Sequence, residues 1–296
     1  MSMWLKLLVL AVAIHALNRQ FAVWKSEAVV LPAAREQGHY IEIEHPASAN
    51  FPLESFPDTA QWGTQVARKV KLYYELDIAA DLDAELLVLI HPSGANADYW
   101  DGALRSYKLL AAARGGVAKM HILRVDIRGQ GRSEHTAGPF SIPLFAADLD
   151  LVLDAVRSKH GVAGNSTKVH LVGNSVGAAT AMQYSVDHPE KVASLVYSGY
   201  TAKCDASLLQ WGFSRSYVVI TLGMNMYAKA VNMASFVRYE NWDGLRAFFQ
   251  SNDPIAYCKV ASSWDGFDIL SQLPSVSAPV LAMYPEVSAA CQHLRA

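Results

Sequence analysis

The chain has 296 residues, 52% of them hydrophobic and 18% charged, with a formal net charge of −2. That length suits one large α/β domain or two small ones, and the apolar content supports a sizeable core. The balanced charge, without a run of like charges, excludes the concentrated basic footprint of a nucleic-acid binder and favours a small, weakly charged substrate.

Residues 1–24 form a hydrophobic opening segment. A short start with one positive charge, Lys6, precedes an almost continuous apolar run over 7–17. The run is shorter than the roughly 20 residues of a bilayer-spanning helix but has the length of a signal-peptide core. Asn18, Arg19 and Gln20 are followed by more apolar residues, which fits a helix packed on the body equally well. Secretion or membrane anchoring through this segment, and a cytoplasmic location, both stay open. The sequon Asn165-Ser166-Thr167 matters only if the chain is secreted.

Residues 38–45 and 69–76 alternate with period two and read as half-exposed antiparallel strands. The pattern then changes to short continuous apolar runs at 86–90, 121–125, 169–172, 192–197 and 279–283, as expected of strands buried on both faces. Helical stretches at 103–113, 144–157 and 178–188 separate them. Strands alternating with helices imply a mainly parallel sheet, with the two opening strands as its antiparallel edge.

Residues 204–268 break that rhythm. The stretch carries Trp211, Met224, Met226, Met233 and Trp242, shows no strong strand, and ends near Asp253-Pro254, a helix-start signal. It reads as a helical cap inserted into a core made of 38–203 and 269–296. Its Met and aromatic content suits an apolar, adaptable pocket. The three cysteines, Cys204, Cys258 and Cys291, are widely spaced and read as buried free thiols. No metal-ligand cluster or phosphate-cradling loop is visible, and no cofactor is expected.

Gly173-Asn174-Ser175-Val176-Gly177 fits G-x-S-x-G, with an apolar strand directly before it and helix formers directly after. In such an elbow the serine sits in a tight turn that only small neighbours permit, and its hydroxyl projects beyond the sheet. The Val176 amide then lies at a helix N-terminus, aimed at a developing oxyanion. His91-Pro92-Ser93-Gly94 follows the first parallel strand and offers a second oxyanion amide. Ser93 is the expected donor, because Pro92 has no N–H. His91 reads as a loop-ordering residue. After the second parallel strand comes DIRGQGRS at 126–133, where Asp126 and Arg128 are expected to tie the loop together.

HPSG, DIRGQGRS and GNSVG, in this order, resemble the α/β-hydrolase superfamily from about Gly38 onward. The segments 253–257 and 273–281 are loosely similar to small-substrate lactonases and carboxylesterases. The resemblance implies Ser175 as nucleophile, an acid after the strand at 279–283, and a histidine base one strand later. Glu286 lies one or two residues early for that acid. The final strand with its histidine is not found before Ala296, which implies a shortened fold with an open sheet edge. His293 and His135 are the candidate bases. His121, His160 and His170 are read as lying at strand starts, the wrong end of the sheet.

Three functions follow. The first is a serine-dependent hydrolase of an ester, lactone or related acyl bond in a small, mostly apolar substrate, acting through an acyl-enzyme. The second is a catalytically impaired binding protein on the same fold. The third is an acyltransferase or lyase. Oligomeric state is not readable.

Overall fold

A computed structural model describes residues 35–49, 65–113, 120–164, 168–199, 202–203, 252–264 and 266–283. The hydrophobic opening segment, the sequon, most of the expected cap (204–251), Cys204, Cys291, Glu286 and His293 lie outside the described residues. Among the described residues no helix is long and apolar enough to cross a membrane.

In chain order the elements are β1 (Gly38–Glu44), β2 (Lys69–Asp77), β3 (Leu86–Ile90), α1 (Asp101–Ala113), β4 (His121–Val125), α2 (Ile142–His160), β5 (Val169–Asn174), α3 (Val176–Asp187), β6 (Val192–Ser198), α4 (Pro254–Ser262) and β7 (Val280–Met283). The strands form one sheet in the order β1-β2-β4-β3-β5-β6-β7. β1–β2 and β2–β4 pair antiparallel, and every other pairing is parallel. The architecture is the expected one: a mainly parallel sheet with an antiparallel end.

The runs of Val, Leu and Ile make strands because each can be covered on both faces. Leu86, Val88, Ile90, Leu123, Val125 and Leu171 join one large cluster with residues of α2 and α3, including Leu149, Val152, Val176 and Ala179. Leu89 and Ile122 pack with Leu104 of α1 in a smaller cluster, with Val172 against it. Strand alternation thus divides the side chains between two helical layers.

α2 shows how local sequence sets an element's limits. Ser141 caps its N-terminus by accepting from the Leu144 N–H, and Pro143 occupies the first turn, where a missing N–H does no harm. Gly161 ends it in the left-handed region at φ 63°, and Arg157, Lys159 and His160 fill the last turn, where cations suit the helix dipole. His160 is therefore the last residue of a helix and does not start a strand.

β2 also departs from expectation. It is an interior strand between β1 and β4, with Tyr73, Tyr74 and Glu75 fully buried. Glu75 survives there because it lies opposite Arg124 in the register and pairs with it at 2.6 Å. At the other end of the sheet, β7 pairs with β6 on one side, and all four of its residues are exposed.

Candidate active site

β4, β3, β5 and β6 run parallel, so the segments that follow them emerge at one edge of the sheet. From β3 the chain crosses outward to β4, whereas β5 lies on the other flank of β3. The order reverses there, and a crevice at the carboxyl ends of such strands is where open α/β sheets place ligands. The two segments bordering that switch point are the HPSG loop after β3 and the turn at Ser175 after β5.

Ser175 joins β5 to α3 with φ 52° and ψ −120°. Among the described non-glycine residues only Ser175 and Ala163 take positive φ. Such a conformation costs about 1–3 kcal/mol and persists only where surroundings enforce it. Here the Ser175 N–H is held by the Ser198 carbonyl at 2.9 Å, and its own carbonyl accepts from the Ala178 and Ala179 N–H groups. A serine at a helix N-terminus ordinarily caps it. Ser175 makes no capping hydrogen bond, so its half-buried hydroxyl is not consumed by the helix. The adjacent N-terminal amides of α3 carry the positive end of the helix dipole.

The two motif glycines are required by close backbone approach. A Cβ on Gly173 would lie 2.3 Å from the Gly177 carbonyl oxygen, and one on Gly177 would lie 2.3 Å from the Ile90 carbonyl oxygen. The second contact presses the start of α3 against the start of the HPSG loop. Gly177→Ala should therefore destabilise the fold by about 2–3 kcal/mol, because backbone must move to admit the methyl. Urea unfolding measures that loss, and a variant as stable as the wild type would contradict the packing.

The HPSG loop is fixed from several sides. His91 is fully buried: its Nε2 accepts from the Ile127 N–H at 3.1 Å and its Nδ1–H donates to the Pro92 carbonyl at 2.8 Å. Both ring nitrogens are engaged in ordering the loop, and burial pushes the imidazole down to about 4. The group's contribution to stability is present above its free value of 6.5 and is lost as pH falls from 6.5 toward 4. Asp126, fully buried and pushed up to about 7, acts in the opposite sense over that interval. The comparison with a variant isolates the histidine: the stability difference between wild type and His91→Gln should shrink by about 2.4 kcal/mol between neutral pH and pH about 4.5. A pH-independent difference would show that the imidazole is not held neutral.

Ser93 lies in this loop, half-buried, and its Oγ is buried with no hydrogen-bond partner among the described residues. The neighbouring Gly94 N–H is taken by Gln130 Oε1 at 2.5 Å. Asp126 joins the two loops: Oδ1 accepts from the Ala97 N–H at 2.5 Å and Oδ2 from the Arg132 N–H at 2.7 Å. Gly131, at φ 56°, must be glycine because a Cβ would lie 2.3 Å from Asp126 Oδ2. Arg128 is fully buried and grips Asp148 through Nε and Nη2 at 2.8 and 2.6 Å. His135 turns toward Asp253, with Nδ1 at 3.4 Å from Oδ1, and burial lowers its affinity for a proton. No side chain among the described residues hydrogen-bonds Ser175. Among the described residues no group of His, Cys, Asp and Glu could hold a metal ion.

Residues 87–291 match the model of the alpha/beta hydrolase family. The chain belongs to that family. Family membership marks it as an enzyme of hydrolase type. It is 27% identical over 159 residues to a putative carbamate hydrolase, RutD, of Azorhizobium caulinodans, covering 54% of this chain and 52% of the relative. It is 33% identical over 118 residues to a 2-hydroxy-6-oxononadienedioate/2-hydroxy-6-oxononatrienedioate hydrolase of Paraburkholderia phymatum, covering 39% of this chain and 36% of the relative. The chain thus spans about half or less of the length of these curated relatives. A thermophilic esterase from Thermogutta terrifontis superposes with a TM-score of 0.60 at 18% identity, covering 83% of this chain and 79% of that structure. The enol-lactonase from Burkholderia xenovorans LB400 gives 0.57 at 20% identity, covering 72% and 77%. At these identities the structural likeness shows the fold.

Several residues that organise these loops carried no sequence signal of their own. Gln130, Asp148 and Asn252 are buried side chains whose partners lie 20 or more positions away on other segments. Only the glycines at 129 and 131 hinted at the tight loop that they stabilise. α4, at the end of the expected cap, begins as foreseen with Asp253 as its N-cap and Pro254 in the first turn. Val260 of α4 joins the large hydrophobic cluster, so this helix is seated on the core. Cys258 is buried in α4, and desolvation pushes its thiol up to about 12.

Proposed function

We propose that this enzyme is a serine-dependent hydrolase of an ester, lactone or related acyl bond in a small, mostly apolar substrate. The observation that carries the reading is Ser175 itself: a non-glycine residue held at φ 52°, at a sheet switch point, with a hydroxyl that caps nothing. Strain of that kind is retained where it serves a purpose, and packing here gives none. Ser175 Oγ attacks the acyl carbon while a general base takes its proton. The negative charge moves to the former carbonyl oxygen, which the amides of Val176 and Ser93 receive. Collapse expels the alcohol, protonated by the conjugate acid of that base. Water then repeats the sequence on the acyl-serine and returns the hydroxyl. His293 and Glu286 are the residues proposed as base and acid.

Supporting this chemistry, the curated relatives are named as hydrolases of a carbamate and of an oxo-dienedioate, and esterase and enol-lactonase structures share the fold. The Met- and Trp-bearing stretch expected as a cap at 204–268 suits an apolar acyl or alcohol group. The test is incubation of the full chain with a fluorophosphonate probe and with p-nitrophenyl esters of two to eight carbons. Covalent labelling and ester turnover are expected. An intact, folded protein that neither labels nor turns over any of them would overturn the reading in favour of a binding protein. Product transfer to added alcohol or thiol, in preference to water, would make it an acyltransferase.

A further inference from the structure

Asn252 lies near the end of the expected cap, just before α4, and it is 5% exposed. Its side chain reaches two loops at once. Oδ1 accepts from the Gly131 N–H at 3.0 Å, in the DIRGQGRS loop, and Nδ2 donates to the Gly94 carbonyl at 2.8 Å, in the HPSG loop. A backbone N–H on one side and a carbonyl on the other fix which end of the amide faces which loop. Only a group with both a donor and an acceptor at that spacing can make the bridge.

The Gly94 peptide groups are consequently held in opposite directions. The N–H goes to Gln130 Oε1 at 2.5 Å and the carbonyl to Asn252, while Gly94 itself takes φ 82°. With Gly94 engaged on both sides, the neighbouring Ser93 N–H is the amide of this turn left to face a substrate oxygen. Asn252 is itself rigidly placed. The next residue, Asp253, caps α4 by accepting from the Ile255 and Ala256 N–H groups at 2.9 Å each, and α4 is anchored in the core through Val260.

We propose that Asn252 is a positioning residue for acyl transfer: its side-chain amide clamps the HPSG loop to the DIRGQGRS loop and so sets the place of the Ser93 amide from just before α4. The inference rests on the acyl-transfer reading above and adds a specific dependence of it on a residue outside the three motifs. A donor aimed at a transition-state oxygen loses most of its value when displaced by about 1 Å, whereas ground-state binding of an apolar ester does not depend on it. Loss of the clamp should therefore reduce kcat and leave KM nearly unchanged.

Two variants of the full chain test this. Asn252→Ala removes both bonds. Asn252→Asp is nearly isosteric and keeps the acceptor for Gly131, but it sets a carboxylate oxygen against the Gly94 carbonyl. Hydrolysis of p-nitrophenyl acetate and butyrate should lose about 10- to 100-fold in kcat in both, with KM within about threefold. Hydrogen exchange of the segment 91–97 should become faster in both. If Asn252→Ala does not fold, the Asp variant alone decides, since it preserves the shape of the site. A kcat within about twofold of wild type in the folded variants overturns the proposal. If the wild type neither labels with the fluorophosphonate nor hydrolyses any ester of the series, the acyl-transfer reading fails on its own account. Exchange of 91–97 then tests the clamp, and unchanged exchange overturns it.

Discussion

Ser175→Ala should abolish fluorophosphonate labelling and lower ester turnover by about four to six orders of magnitude, the loss seen when a serine nucleophile is removed from a preorganised site. The fold should hardly notice. The hydroxyl makes no capping hydrogen bond, and alanine keeps the Cβ that strains the turn at φ 52°. Thermal unfolding should shift by no more than a degree or two. Ser175→Gly sharpens the test. Glycine adopts positive φ without the Cβ penalty, so this variant should be as inactive as Ser175→Ala yet more stable than wild type by about 1 kcal/mol. Gain of stability with loss of activity on removal of one small side chain is the signature of strain kept for function. An active Ser175→Ala protein, or a Ser175→Gly protein less stable than wild type, would refute the assignment of this turn.

Much of the frame was legible because it depends on local pattern. The runs at 86–90 and 121–125 are the strands β3 and β4 to the residue, since a parallel strand covered on both faces is a continuous apolar word bounded by turn residues. The strand–serine–helix context of G-x-S-x-G could likewise be read from the apolar residues before it and the alanines after it. Reading failed where the deciding partner was remote. Alternation in 69–76 suggested a half-exposed strand, but Glu75 is buried because Arg124 stands across from it on β4. His160 ends a helix instead of starting a strand, because Gly161 in the left-handed region and the basic last turn close α2 there. The polar residues of the site follow the same division. Ser175, Val176, Ser93, Asp126 and Arg128 sit inside motifs and could be singled out. Gln130 and Asn252 matter through backbone groups of another loop, and no spacing in one sequence encodes that meeting.

Asp148 is the strongest such remote partner, and its removal should be the most damaging single change to stability. Arg128 is wholly buried, and its guanidinium is satisfied by Asp148 through two bonds, by the Ala67 carbonyl at 2.7 Å and by Thr136 Oγ1 at 3.2 Å. The walls nearby are largely apolar, with Leu72, Ile90, Val125 and Phe145 among them. Asp148→Ala strands a cation in that setting and should cost about 3–5 kcal/mol in urea unfolding. The reverse change is milder. In Arg128→Met the carboxylate keeps its contact with His45, whose Nε2 stands 2.7 Å from Asp148 Oδ1. The double variant Arg128→Met/Asp148→Ala buries no unpaired charge and should be more stable than Asp148→Ala, leaving a coupling of about 2 kcal/mol or more between the two positions. Strict additivity of the single changes would mean that this pair does not hold the DIRGQGRS loop onto α2.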